Sequence, residues 1–189
     1  MGIKSRLSKF LFISLRIKKY KILSTCRRVI GKPSLQQPLL LTGTGSIVFK
    51  NNVQVGVEYS PKFYSSYSYI ESRGDASHII IGNNVAINNG FAAVALSSII
   101  IDDNVLIGEG CSIMDTDGHF LSPDMRNNDN PPAAGVHIKE NVFLGSNVVI
   151  LKGVTIGQNS IIGNSSVVTK SIPANVVAAG NPARIIRNL

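Results

Sequence analysis

The chain has 189 residues, 44% of them hydrophobic and 16% charged, with no Trp, 17 Gly and a formal charge of +8. That length holds one domain with a real core, and that balance excludes a disordered chain. The charge is not spread: residues 1–32 carry ten of the nineteen Lys and Arg and no acid, which leaves nine bases against eleven acids from residue 33 onward, so any basic partner surface belongs to the N-terminus alone.

The first predicted element is a basic, helical arm over residues 1–32. Ile3, Leu7, Phe10, Leu11 and Ile17 alternate with Lys4, Arg6, Lys9 and Arg16 at the spacing of one helix face. The run "FLFISL" is too short to span a bilayer, and no long apolar region with a small-residue cleavage site marks a secretory signal. Two uses remain open for the arm. As a basic amphipathic helix it lies on an anionic membrane, with its apolar side in the acyl boundary and its bases at phosphates. Alternatively it packs across neighbouring subunits with its charges solvated. No stacking platform or reader motif accompanies the bases, so nucleic acid is not an expected partner. Cys26 and Cys111 match no disulfide framework or metal spacing, which fits a reducing compartment. The expected location is the cytoplasm, peripherally at the inner membrane face if the arm takes its first use.

Residues 33–180 form the second predicted unit. From residue 81 the chain divides into hexads that start on an aliphatic residue: "IGNNVA", "INNGFA", "AVALSS", then after a two-residue slip "IDDNVL", "IGEGCS", "IMDTDG". A loop at 119–137 interrupts them, and they resume as "IKENVF", "LGSNVV", "ILKGVT", "IGQNSI", "IGNSSV", "VTKSIP". Weaker phrases, "FKNNVQ" and "VGVEYS", precede an irregular insert at 61–76. A fixed short period marks a solenoid, and one inward aliphatic per hexad suits a face of a parallel β-helix. The period is not 3.6, and turn signals recur too often for a Greek-key sandwich. The predicted class is all-β. Residues 181–189 form a tail.

The hexads, the phrase "DTDGH" at 115–119 and above all "VVTKSIPANVVAAGNPARIIR" at 167–187 resemble the hexapeptide-repeat acyltransferases, in the branch of maltose, galactoside and polysaccharide O-acetyltransferases. The resemblance implies a left-handed parallel β-helix with three hexads per coil, assembled as a homotrimer with acetyl-CoA as co-substrate in grooves between neighbours.

Acetyl transfer from a thioester to a hydroxyl needs a base for the hydroxyl proton, donors for the oxyanion, and a groove for the CoA arm. Imidazole is the suited base at neutral pH. His119 stands where the regular coil gives way to the long loop, and the resemblance carries the general-base role to it, without a metal. Asp115 and Asp117 are candidates for orienting the imidazole or the acceptor sugar, though both residue types also serve ordinary turns. Asn88 and Asn89 resemble the family's acceptor-binding asparagine, with the register between them open. By the same resemblance Gly145 and Ser146 sit near the thioester and offer a backbone N–H as oxyanion donor. Asn164, Thr169 and Lys170 line the pantetheine path, and Arg184 and Arg187 meet the CoA phosphates. Asn164 departs from the family, which commonly has Ala there.

The expected activity is O-acetylation of a sugar hydroxyl by direct transfer, in cell-surface polysaccharide synthesis. Two other classes are open. A non-catalytic solenoid scaffold with a membrane-binding arm would keep its assembly and show no acetylation. A gamma-carbonic-anhydrase-like zinc site needs three converging histidines; the chain has three, His78, His119 and His137, but no close pair four apart.

Overall fold

The computed structural model describes residues 7–129 and 131–189. Ile3, Lys4 and Arg6 of the expected arm therefore lie outside the described residues. From residue 28 the chain winds repeatedly through three sheets. The first holds Arg28–Ile30, Ser46–Phe49, His78–Ile81, Ser98–Ile101, Val136–Ile138 and Thr155–Ile156. The second holds Ser34–Leu35, Gln54–Val55, Ala86–Ile87, Leu106–Ile107, Phe143–Leu144, Ile161–Ile162 and Val176–Gly180, and the third Leu39–Gly43, Ser68–Ser72, Ala92–Ala95, Ser112–Met114, Val149–Ile150 and Val167–Val168. All these neighbours pair in parallel, so the wall is a three-sided parallel β-helix.

The register explains the hexads. Phe49, Ile81, Ile101, Ile138 and Ile156 are successive partners in the first sheet, and Val55, Ile87, Ile107, Leu144 and Ile162 in the second. Each begins or continues a hexad phrase, points inward and stacks on its copy at the inter-strand spacing of about 4.8 Å. The fifth positions Val85, Val105, Val142, Val148 and Val154 are buried beside them. Each such side chain contributes about 1.5–3 kcal/mol by leaving water. Ser160 and Ser166 take fifth positions too, and their hydroxyls donate to the Pro173 and Gly163 carbonyls at 2.7 and 2.6 Å, so the core carries them without an unmet bond.

Where the first sheet turns into the second, the chain adopts a left-handed conformation on asparagine: Asn84, Asn104, Asn141, Asn159 and Asn175 have φ between 56° and 63°. Asparagine accepts this conformation more readily than other residues with a Cβ. Its amide also bonds the asparagine of the next coil, Asn84 to Asn104 at 3.1 Å, Asn141 to Asn159 at 3.0 Å and Asn159 to Asn175 at 2.7 Å.

Several boundaries differ from the sequence reading. The helix comprises a π-helical turn Phe10–Ser14 and the α-helix Leu15–Leu23, and Arg28–Ile30 is already a strand of the first coil rather than part of an arm ending at 32. The Ser24 hydroxyl accepts the Leu41 N–H at 3.0 Å and ties the helix end to that coil. The π turn adds a residue and so rotates the α-helical turns after it. Ile13, within that turn, is the buried apolar residue, while Leu7, Phe10 and Leu11 stay exposed. The segment 61–76 is irregular only in part, because Ser68–Ser72 is a strand of the third sheet. Its inward residues are Ser68, Ile70 and Ser72, and polar side chains at two inward positions conceal the alternation. The tail forms the strand Ala183–Asn188, antiparallel to Val176–Gly180, which covers an otherwise unpaired edge.

Candidate active site

The chain leaves the third sheet after Ser112–Met114 and rejoins the first at Val136–Ile138. Asp115 opens this excursion. It is fully buried, and its two oxygens accept the Leu96 and Ser97 N–H groups, both at 2.7 Å. Asp115 thus fastens the turn of the coil below, which corrects its expected role at the imidazole or the acceptor. Asp117 forms an ion pair with Lys152. Neither carboxylate bonds His119.

A backbone group holds the imidazole instead. His119 Nδ1 lies 3.1 Å from the Arg126 carbonyl oxygen, and a carbonyl can only accept, so the proton sits on Nδ1 and Nε2 carries the lone pair. Arg126 follows the short 3₁₀ turn Pro123–Met125, and its guanidinium donates back to the Leu121 carbonyl at 3.3 Å. The loop is fixed at its root as well, where the Ala134 N–H donates to the Asp115 carbonyl at 2.8 Å.

His119, Gly118, Arg73, Leu96, Asn127 and Asn128 line an open pocket of about 600 Å³. Arg73 escaped the sequence reading because it follows the unrecognised strand Ser68–Ser72. Its guanidinium donates to Glu71 through Nε at 3.1 Å and Nη2 at 2.9 Å. Burial works to raise the Glu71 pKa, but the bonds from Arg73 and Tyr69 outweigh it and hold the carboxyl below its usual value.

A second group lies on another corner, between the second and third sheets. Gly145 donates its N–H to the Ile162 carbonyl at 2.8 Å. The Ser146 N–H donates to Asn164 Oδ1 at 2.9 Å. The Gly145 N–H is engaged within the coil wall, whereas the Ser146 N–H is held by the exposed side chain of Asn164. A Cβ on Gly145 would fall 2.3 Å from Asn164 Oδ1, so the glycine makes room for that cap. Asn89 is buried, and its amide bonds Val57 and Pro61 carbonyls at 2.9 and 3.0 Å and the Val57 N–H at 3.1 Å. It anchors the loop above it and cannot meet an acceptor. Asn88 is half-buried and lines a shallow groove with Val57, Leu106 and Phe143. Lys62, which the sequence reading also missed, reaches over this corner to Glu109 at 3.0 Å and Asn147 at 3.3 Å.

Thr169 and Lys170 are exposed on the histidine's corner, in the last coil. Lys170 and Arg184 line one groove of about 460 Å³; Arg187 is exposed on the same terminal strand. Cys111 is fully buried with its thiol donating to the Gly145 carbonyl at 3.0 Å, and burial pushes its pKa to about 11. His78 and His137 lie on the first sheet, His137 Nε2 2.9 Å from Asp102 Oδ2. Among the described residues no three His, Cys, Asp or Glu side chains gather as a metal site.

The candidate residues of one chain therefore fall on two corners of the prism. His119, Asp117, Thr169 and Lys170 share one; Asn88, Gly145, Ser146 and Asn164 share the other; the third sheet lies between them.

Residues 135–170 match the bacterial transferase hexapeptide (six repeats) family. The chain is 43% identical over 129 residues to galactoside O-acetyltransferase of Escherichia coli (strain K12), covering 68% of this chain and 59% of that protein. It is 32% identical over 158 residues to the putative lipopolysaccharide biosynthesis O-acetyl transferase WbbJ of the same organism, covering 79% of this chain and 76% of that protein. A solved galactoside acetyltransferase in complex with coenzyme A is similar with a TM-score of 0.59 at 40% identity, over 74% of this chain and 65% of that one. The chain thus spans about three fifths of the length of the galactoside enzyme. Hexad register, three-sided winding and these likenesses together make the chain a member of the hexapeptide-repeat acyltransferases, the left-handed parallel β-helix family that includes the galactoside and maltose O-acetyltransferases.

Proposed function

We propose that the protein transfers acetyl from acetyl-CoA to a sugar hydroxyl of a cell-surface glycan precursor, directly and with His119 as general base. The observation that carries this reading is the His119 tautomer: Nδ1–H is tied to a carbonyl, so the lone pair of Nε2 belongs to a side chain that lines the pocket. Nε2 takes the hydroxyl proton while the hydroxyl oxygen bonds to the acetyl carbon. The carbon–sulfur bond breaks, and the proton passes from the imidazolium to the departing thiolate. The CoA thioester supplies an activated carbonyl. Cys111, neutral and enclosed, is unsuited to a covalent acyl-enzyme.

The remaining residues fit around this step. Asn127 and Asn128 offer donors and acceptors for sugar hydroxyls. The groove at Lys170 and Arg184 suits the CoA phosphates in charge. Ser146 serves the oxyanion once the exposed Asn164 side chain turns away from it. The two corners meet when the histidine corner of one subunit faces the glycine corner of the next, which a homotrimer does three times over. The exposed apolar side chains Leu106 and Phe143 on the second sheet supply surface for that contact. The polysaccharide context rests on the likeness to WbbJ.

The test is acetylation of free, nucleotide-linked and lipid-linked sugars by the full chain. His119→Ala should cut kcat by about 10²–10⁴-fold with an unchanged melting temperature, because the side chain is exposed. Full activity of His119→Ala would remove it as the base. Failure to bind acetyl-CoA would overturn the whole reading.

A further inference from the structure

The N-terminal end of the prism contrasts with its other end. Its first coil leaves an apolar pocket of about 390 Å³ lined by Val29, Leu35, Leu39 and Leu41, one or more residues from each of the three sheets, with Lys21 and Lys32 among its walls. The helix that borders this pocket is attached to the body by the buried Ile13, by Tyr20 against Tyr67 and by polar bonds. Lys9 pairs with Glu58 at 2.6 Å, and Arg16 Nη2 donates to the Ser66 carbonyl at 3.0 Å. Five other large apolar residues of this segment stay outward: Leu7, Phe10, Leu11, Phe12 and Leu15 are between 42% and 57% exposed. The charges around them, Lys18, Lys19 and Lys21 on the helix and Arg27, Arg28 and Lys32 beyond it, are all positive.

We propose that this end of the molecule docks on an anionic lipid bilayer, with the helix's outward apolar residues in the acyl boundary and the lysines at the headgroups. Apolar area together with bases is the combination that holds an interfacial helix, and each Lys or Arg near an anionic leaflet adds to the attraction. Apolar walls beside cationic ones suit the two parts of a lipid, its chain and its anionic headgroup. A second copy of this chain is the poorer occupant. The first 32 residues contain no acid, so two such ends repel. Seven of the eleven acids are already held within the chain: Glu58, Glu71, Asp102, Asp103, Glu109 and Asp117 by cationic partners or histidine, and Asp115 by backbone. Given the trimer proposed above, a cyclic arrangement that joins the sides of the prisms turns all three ends the same way, and three linked contacts on one flat surface reinforce one another. No helix among the described residues is long and apolar enough to cross a membrane, so the contact is one of surface.

The full chain should co-sediment with phosphatidylcholine vesicles that contain phosphatidylglycerol, bind pure phosphatidylcholine weakly, and be released by added salt. Lys21→Glu/Lys32→Glu should weaken binding at least about tenfold. Leu11→Ser/Leu15→Ser should do the same while melting temperature and oligomeric state stay as they are. No binding to either vesicle, equal binding to both, or indifference to these variants would overturn the proposal, and so would break-up of the oligomer by Leu11→Ser/Leu15→Ser, which would assign the face to a neighbouring copy. Vesicle binding is read without any acetylation. Vesicle binding with no acetyl transfer would therefore overturn only the enzymatic reading, and acetyl transfer to a soluble sugar with no vesicle binding only this one.

Discussion

Asp115, Asp117 and His119 stand within five residues of one another and have three different occupations, which mutation should separate. Removing the Asp115 carboxylate empties a fully buried site and takes the charged acceptor from the Leu96 and Ser97 N–H groups, so Asp115→Ala should cost about 1.5–3 kcal/mol, and its loss of activity should track its loss of fold in denaturant melts. Asp117→Asn breaks a partly exposed ion pair with Lys152, a change of about 0–1 kcal/mol, and should alter the rate little. Cys111 gives a further residue-scale expectation. Its folded pKa, about 11, lies above its ordinary 9.0. The native state is therefore favoured below pH 9, and that contribution fades as pH rises from about 9 towards 11. At pH 8 a disulfide reagent should modify half-buried Cys26 and leave Cys111 untouched until the protein unfolds. The sequence made His119 conspicuous because an imidazole stood at a break in a regular pattern. It could not reveal that the Arg126 carbonyl sets the tautomer, since that bond depends on how the loop folds back. Arg73 and Lys62 were equally hidden, because each reaches its place from a different coil.

At the scale of elements, the corners are held by asparagines whose backbone is left-handed and whose amides bond from coil to coil. Asn141 has φ of 57° and donates to Asn159. Asn141→Ala should lower stability by about 1–2 kcal/mol through the strained backbone, and Asn141→Gly should recover most of it; urea midpoints for the pair would show the order, and equal losses would count against the backbone as cause. This element type was legible in advance, because hexads from 81 onward repeat both the inward aliphatic and the corner asparagine. The earlier coils were not. Ser68–Ser72 turns serines inward and satisfies them with Gln37 and Ser77, and the first coil, residues 28–45, has no asparagine to mark its corners. Polar inward residues and unmarked corners remove the signal without removing the fold, since backbone pairing to the next coil persists.

For the whole molecule, the ends of the solenoid are finished unlike each other. The C-terminal strand folds back over the last coil of the second sheet, while the first coil keeps an apolar opening beside a helix that shows its own apolar residues. The sides bear on catalysis more directly, because one chain carries its histidine and its Asn88–Ser146 group on different corners. If each working site takes one corner from each of two neighbours, two crippled chains can rescue one another. Subunits with His119→Ala and subunits damaged at the other corner, for instance by Ser146→Pro, should each be inactive alone. Refolded together in equal amounts, they should recover about a quarter of the wild-type sites, since an intact site needs an undamaged corner from both contributors. A site confined to one chain would recover nothing, so the activity of mixed oligomers reads out a geometry that neither variant can report by itself.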